Sequence, residues 1–138
     1  MGSGYTIASR DQAVDWMAQW PAFGEMRWYS EALGSEQVSF SWRLMPAGTG
    51  GRNSYGHRHP GQEEIYFVLS GKVTFKVGDE VFEAAPKTAV RMTGEEFYSV
   101  HNDGDQDAEL MIFSTRLAEP PSEKQENFWP DDQVGRSG

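Results

Sequence analysis

The stretch from Gly51 to Gly71, GRNSYGHRHPGQEEIYFVLSG, holds two of the three histidines in the chain. His57 and His59 lie two residues apart, so on a strand their side chains point to the same face. Pro60-Gly61 predicts a turn, and Glu64 lies at the start of the strand that follows. If the turn folds the two strands together, two imidazoles and a carboxylate converge. The sequence therefore predicts a divalent-metal site with open positions.

The full spacing is Gly51, five residues, His57, one residue, His59, four residues, Glu64, six residues and Gly71. It resembles the first conserved motif of the cupin superfamily at every fixed position, within a similarity that covers roughly residues 37 to 115. The resemblance implies an all-β fold, a small antiparallel β-barrel or double-stranded β-helix of jelly-roll type. It also implies that His57, His59 and Glu64 are metal ligands.

The second cupin motif, Gly, five residues, Pro-x-Gly, two residues, His, three residues and Asn, is incomplete. Counting back from Asn102, the histidine slot falls on Tyr98, so a phenol replaces the usual fourth ligand. Tyr98 could be a phenolate ligand, a hydrogen-bond donor or an ordinary barrel tyrosine. Because a phenol has a pKa of about 10, we favour a donor or acid/base partner and predict Tyr98 as the catalytic residue. His101 has the opposite parity and is expected to face out of the site unless a bulge reverses it.

Two imidazoles and one carboxylate suit iron, manganese, nickel or zinc, and residue type does not choose among them. One hypothesis is a metal-dependent enzyme that acts on a small organic substrate, with dioxygenase, isomerase or lyase-type chemistry. The alternative is a non-catalytic cupin that binds or senses a small molecule and has no bound metal. A pure interaction module is a weaker hypothesis, since it leaves the His57, His59 and Glu64 constellation unused. If there is no functional site, these side chains are simply exposed to solvent on a polar pair of strands.

Other charged residues near the motif have two interpretations. Glu63 has the opposite parity to Glu64, so we expect a solvated carboxylate or a partner for Arg58. Arg43 and Arg91 lie on predicted strands. Either would bind an anionic substrate if it faced the cavity, but strand arginines more often pair with surface carboxylates.

The remaining chain predicts one domain with flanking segments: residues 1–25 with a short N-terminal helix, the barrel over residues 26–117, and a mostly flexible tail over residues 118–138. Ser9 and Gln12 form a capping-box pattern, which predicts a helix over residues 10–20. Residues 37–45 alternate apolar and polar side chains, as is typical of a half-buried strand. In the tail, Phe128 and Trp129 are expected to dock against the barrel or a second subunit.

Composition limits the function classes. Cysteine is absent, which excludes disulfides and cysteine nucleophiles, and together with the lack of a secretory signal it favours a cytoplasmic location. The formal charge of −9, from 12 basic and 21 acidic residues, argues against nucleic acid as a partner. No apolar run approaches the roughly 20 residues that span a bilayer, so we expect no membrane partner. The resemblance and the strand edges of a small barrel favour a homodimer.

Overall fold

The computed structural model describes residues 4–52 and 54–129. Within these residues, two antiparallel β-sheets enclose a common core, and the all-β jelly-roll architecture predicted from the sequence is confirmed. The strands are β1 Val14–Asp15, β2 Glu25–Trp28, β3 Val38–Met45, β4 Gly56–Arg58, β5 Glu64–Ser70, β6 Val73–Val77, β7 Glu80–Ala84, β8 Ala89–Met92, β9 Tyr98–His101, β10 Ala108–Thr115 and β11 Glu123–Gln125. A single α-helical turn, α1 Ser30–Leu33, precedes β3.

The first sheet has the strand order β1-β2-β3-β10-β5-β8 and the second has the order β11-β4-β9-β6-β7. Strands β3 and β10 pair over their whole length, from Val38 opposite Thr115 to Met45 opposite Ala108. Buried side chains from both sheets meet between them and form the core. They are Met45, Tyr66, Val68, Val73, Phe75, Ala84, Met92, Tyr98, Val100, Ala108, Leu110 and Ile112.

Strand β3 is half-buried as its alternation predicts, but its polar face is the one that points inward. Ser41 is buried and so is Nε of Arg43, whereas Phe40 lies on the outer face, where its ring stacks on that of Phe113 at 5.1 Å. Alternation defines two faces of a strand and does not say which one the rest of the chain covers. Here the inner face of β3 adjoins a cavity, so small and polar side chains occupy it.

The turns between strands follow the sequence signals. Gly78-Asp79 connects β6 to β7 as a two-residue hairpin turn, and Gly71 connects β5 to β6 with a φ of +72°. A Cβ on Gly71 would lie 2.7 Å from the carbonyl oxygen of Asp107. Gly71, the last glycine of the motif, therefore has a left-handed backbone conformation and leaves no room for a side chain beside Asp107.

The predicted helix over residues 10–20 is wrong. Only one 3₁₀ turn forms, Arg10–Gln12, with the Gln12 side chain accepting a hydrogen bond from the backbone N–H of Ser9 at 2.8 Å. Val14 and Asp15 then pair with β2 at the edge of the first sheet, residues 16–19 form turns, and the ring of Trp16 stacks on that of Trp28 at 5.5 Å. Pairing across the sheet overrides a local helix signal that supports a single turn.

The described part of the C-terminal tail docks against the barrel. Strand β11 pairs with β4, and Phe128 and Trp129 are each only 2% exposed. The ring of Phe128 occupies the space beside Gly56, where a Cβ would lie 2.4 Å from the ring. The aromatic pair therefore docks on its own barrel, and the flexibility predicted for residues 130–138 lies outside the described residues.

Candidate functional site in the barrel interior

Strand β4 carries His57, and His59 follows directly after its last residue. The strand lies between β11 and β9. His57 is directly opposite Tyr98, with ring centroids 4.5 Å apart. The ring of His59 lies 5.2 Å from that of His57, since residues two apart share a strand face. The loop before β4 approaches β9 so closely that a Cβ on Gly51 would lie 1.9 Å from Oγ of Ser99. The first motif glycine thus permits the contact that positions β4.

The Pro60-Gly61 turn returns the chain to the first sheet, where Glu64 is the first residue of β5. The backbone N–H of Gln62 closes the turn on the carbonyl of His59 at 3.0 Å. Glu64 is 8% exposed, and its Oε1 lies 3.9 Å from Nε2 of His59. The turn therefore brings the motif carboxylate beside the histidine pair.

A hydrogen-bonded chain of two tyrosines holds Glu64. The Tyr98 hydroxyl donates to Oε1 of Glu64, and the hydroxyls of Tyr66 and Tyr98 are 3.1 Å apart. A phenol has one O–H to donate. Because Tyr98 gives it to the carboxylate, Tyr66 donates to Tyr98. The phenol in the usual histidine slot thus acts as a hydrogen-bond donor to the motif glutamate.

Burial is the main cause of the pKa shifts of Glu64 and Tyr98 in this hydrogen-bonded chain. Burial raises the pKa of Glu64, while the Tyr98 hydrogen bond and the imidazole of His59 oppose that rise. Burial also raises the pKa of Tyr98, and the adjacent Tyr66 and Glu64 raise it further. Both phenols therefore remain protonated at neutral pH, and the carboxyl group is more readily protonated than one in water.

His57 is a neutral imidazole at neutral pH. Burial lowers its pKa from 6.5 to about 4, and the positive charges of His59 and Arg43 act in the same direction. A neutral imidazole keeps one nitrogen free to accept a proton, a hydrogen bond or a metal ion.

The docked tail orients His59. Nδ1 of His59 lies 3.0 Å from the carbonyl oxygen of Pro121, and a carbonyl can only accept, so Nδ1 carries the proton. In the neutral ring this leaves Nε2, the nitrogen nearest Glu64, as the acceptor. Glu123 pairs with Arg58 at 2.6 Å and fixes the same segment to β4, which corrects the expectation that Arg58 pairs with Glu63.

The histidines and Glu64 line a cavity of about 180 Å³ between the two sheets. Polar and apolar side chains from both sheets, together with Pro120 of the docked tail, surround it. The lining residues are Trp16, Met26, Ser39, Ser41, His57, His59, Gln62, Glu64, Tyr66, Ile112, Ser114 and Pro120. Tyr98 is 1% exposed and lies behind Glu64, so it touches the carboxylate and not the cavity.

Two other expectations concern His101 and Glu63. His101 lies on the opposite side of β9 from Tyr98, as strand parity predicts, and its Nδ1 accepts a hydrogen bond from the backbone N–H of Arg52 at 3.2 Å. Glu63 forms an ion pair with Arg91 on the outer face. Neither belongs to the cavity.

Sequence reasoning missed Tyr66, Gln62 and the serines of β3 as site residues. Tyr66 has the parity of Glu64, so alternation along β5 could have placed it in the site. The inward face of β3 had no comparable signal, since serine alternating with apolar residues usually marks a solvent face.

A resident metal, which the family resemblance implies, has partial support from the side chains present. His59 Nε2 and Glu64 Oε1 lie 3.9 Å apart, and an imidazole nitrogen and a carboxylate oxygen are atoms that would hold a divalent ion. Across residues 4–52 and 54–129, however, no three histidine, aspartate or glutamate side chains are placed to hold an ion. The residue types fit a metal, but the arrangement lacks a third ligand.

The family model for the cupin domain matches residues 41–114, slightly more than half of the 138-residue chain. The chain belongs to the cupin superfamily. No protein with a curated description matches this cupin. In the described residues, no helix is long and apolar enough to cross a membrane.

Solved structures support the fold. One is a Silicibacter pomeroyi protein named as a sugar phosphate isomerase from a cupin superfamily. It has a TM-score of 0.72 at 14% identity, and the alignment covers 88% of this chain and 82% of that chain. A Thermotoga maritima protein named as a predicted oxalate decarboxylase has a TM-score of 0.62 at 20% identity, with coverage of 81% and 100%. A structure from Acidithiobacillus ferrooxidans has a TM-score of 0.62 at 21% identity. It covers 72% of this cupin, which spans 65% of its length. At these identities the likenesses show the fold alone.

Proposed function

We propose that this cupin binds a small organic molecule in the cavity between its sheets. The observation that carries the proposal is a space of about 180 Å³ lined by two histidines, a buried glutamate and several hydroxyls. Cavities that take drug-sized ligands measure roughly 300–1,000 Å³, so the ligand is smaller than a typical drug molecule. The names of the Silicibacter and Thermotoga structures, which refer to sugar phosphates and oxalate, support a small polar ligand.

The same side chains support acid/base chemistry on a bound substrate. His57 is neutral and faces the cavity, so it can accept a proton. Glu64 has a raised pKa and can deliver one. Tyr98 positions this carboxyl group through its hydrogen bond, which gives the predicted catalytic tyrosine a positioning role.

The second candidate is a divalent-metal centre that His59 and Glu64 would hold, with His57 as the third ligand that the motif implies. The contact between Nδ1 of His59 and the Pro121 carbonyl favours it, because metal-binding histidines usually donate their other N–H to such an acceptor. Bound iron, manganese, nickel or zinc would polarise a substrate oxygen or acidify a water. Metal analysis of untagged protein, followed by calorimetric titration of each ion into the wild type and His59→Ala, tests this candidate. Stoichiometric metal lost in the variant supports it, and equal binding by both proteins contradicts it.

A small-molecule screen tests the principal proposal. Thermal unfolding of the wild type is compared with that of Ser114→Leu, which places a larger side chain in the cavity. The matched control is Thr115→Leu, because the adjacent residue on β10 is exposed on the other face. We expect the ligands that stabilise the wild type to stabilise Thr115→Leu and not Ser114→Leu. Equal stabilisation of all three proteins would place binding elsewhere.

The outer face of the first sheet supports a homodimer. Apolar side chains of β3, β5 and β10 form a continuous band there, and Val38, Ile65, Leu69 and Phe113 are 37–51% exposed. Exposed apolar surfaces of this kind commonly mark protein interfaces, and a two-fold axis would let the same band cover itself. We propose this face as the dimer contact. The cytoplasmic location stays a prediction.

A further inference from the structure

Arg43 lies on the face of β3 that borders the cavity. It shares the inward face of β3 with Ser39 and Ser41, which both line the cavity. Its partner across the β2–β3 pair is Met26, which also lines the cavity. Side chains opposite each other on paired strands share a face, so Arg43 projects into the barrel beside the cavity wall.

The guanidinium of Arg43 lacks a compensating anion. Its Nε is buried and has no hydrogen-bond partner within residues 4–52 and 54–129, and no carboxylate in that part of the chain forms an ion pair with it. Other arginines there have partners: Arg10 and Arg27 pair with Glu25, Arg52 with Asp103, Arg58 with Glu123 and Arg91 with Glu63. Arg43 as a whole is partly exposed, but its Nε is a buried donor without a partner, which is unfavourable.

The side chains near Arg43 belong to the cavity. Its charge acts on His57 and Tyr66, two cavity residues, and on Tyr98. Burial lowers the pKa of Arg43, yet arginine stays protonated in proteins. The barrel interior thus presents a positive fork within a molecule whose formal charge is −9.

We propose that Arg43 binds the carboxylate or phosphate group of the small molecule that occupies the cavity. The proposed function supplies the ligand site, and this inference adds that the ligand is an anion. An arginine fork matches the two oxygens of such a group and binds them with paired hydrogen bonds. The anion would also pair with a positive charge that no carboxylate of residues 4–52 and 54–129 pairs with.

The experiment compares acids with their neutral amides at constant ionic strength. The probes are acetate, malonate and inorganic phosphate, with acetamide and malonamide as the uncharged counterparts, and the readouts are calorimetric affinity and thermal unfolding. The variants are Arg43→Met and Arg43→Lys. The matched control is Arg91→Met, which removes an exposed arginine that already has a partner, Glu63.

We expect acids to bind the wild type and the control more tightly than the amides do. Arg43→Met should lose at least tenfold in affinity for the acids, or about 1.4 kcal/mol, and Arg43→Lys should lose less. Without added anion, Arg43→Met should be as stable as the wild type or more stable, because the change breaks no ion pair among the described residues and removes a buried donor without a partner. Tighter binding of carboxylates than of phosphate, or the reverse, identifies the natural group.

Several outcomes would overturn this inference. If acids and amides bind equally, and independently of Arg43, the cavity binds ligands but not through an anion. If Arg43→Met is much less stable than the wild type in anion-free buffer, the arginine is a structural element of the barrel. If no probe binds while neutral molecules from the wider screen do, the proposed function stands and the ligand is not an anion.

Discussion

Removing the Tyr98 hydroxyl tests the hydrogen-bonded chain that holds Glu64. Tyr98→Phe keeps the ring that contacts His57 at 4.5 Å and deletes the hydroxyl that donates to the carboxylate and accepts from Tyr66. A hydrogen bond to a charged group contributes about 1.5–3 kcal/mol, so we expect a loss near 2 kcal/mol in the free energy of unfolding at pH 8. With a urea dependence of about 2 kcal/mol per molar, the unfolding midpoint should fall by about 1 M.

The effect of Tyr98→Phe should depend on pH. A carboxyl group whose pKa is raised in the folded state destabilises that state as the pH rises from the unfolded value, near 4.5, to the folded value. Without its donor, Glu64 should have a still higher pKa, so the loss extends to higher pH. At lower pH, where the carboxyl group becomes protonated, the hydrogen bond is a neutral one and contributes about 1 kcal/mol.

Tyr66→Phe is the matched control, because Tyr66 bonds the Tyr98 hydroxyl and not the carboxylate. Its loss should be about 1 kcal/mol and should change little between pH 5 and pH 8. Equal losses for Tyr66→Phe and Tyr98→Phe, or a Tyr98→Phe effect that does not change with pH, would refute the assignment of Tyr98 as the donor to an ionised Glu64.

Other features give further predictions. The pKa of His57 is about 4 in the folded protein and 6.5 without perturbation. EDTA-treated protein should therefore lose up to about 3 kcal/mol of stability as the pH falls from 6.5 to 4. An NMR titration in which this imidazole protonates near pH 6.5 would contradict the prediction. Phe128→Ala should cost about 3 kcal/mol in urea unfolding, whereas Leu117→Ala, at a residue 37% exposed, should cost under about 1 kcal/mol; similar losses would mean that the tail is not docked. Ile65→Lys should convert a dimer to a monomer by light scattering while Val81→Lys on the second sheet should not, and a wild-type monomer would rule out the proposed contact.

The sequence predicts the architecture of the barrel better than its interior. Motif spacing and turn residues identify the histidine strand, the turn to Glu64 and the parity of Tyr98, since each depends on neighbours within a few residues. The orientation of Arg43 depends on which face of β3 adjoins the cavity, and no local pattern contains that information. Docking of Phe128 likewise depends on the space beside Gly56, which only the folded sheets create.

In the N-terminal segment, a local sequence signal predicted more helix than the structure contains. The capping-box residues Ser9 and Gln12 form their local hydrogen bond, so the signal is real over one turn. The expected helix does not continue because Val14 and Asp15 pair with β2. Tertiary pairing decided the conformation where local propensity was weak.

Binding of a small molecule inside the barrel is tested most directly by a crystal structure of this cupin with the acid that stabilises it most. We predict a ligand between the two sheets, in contact with His57 and the serines of β3 and β10, with its anionic group directed at Arg43. An empty cavity at saturating ligand concentration, or a ligand bound only to the outer surface, would contradict the account.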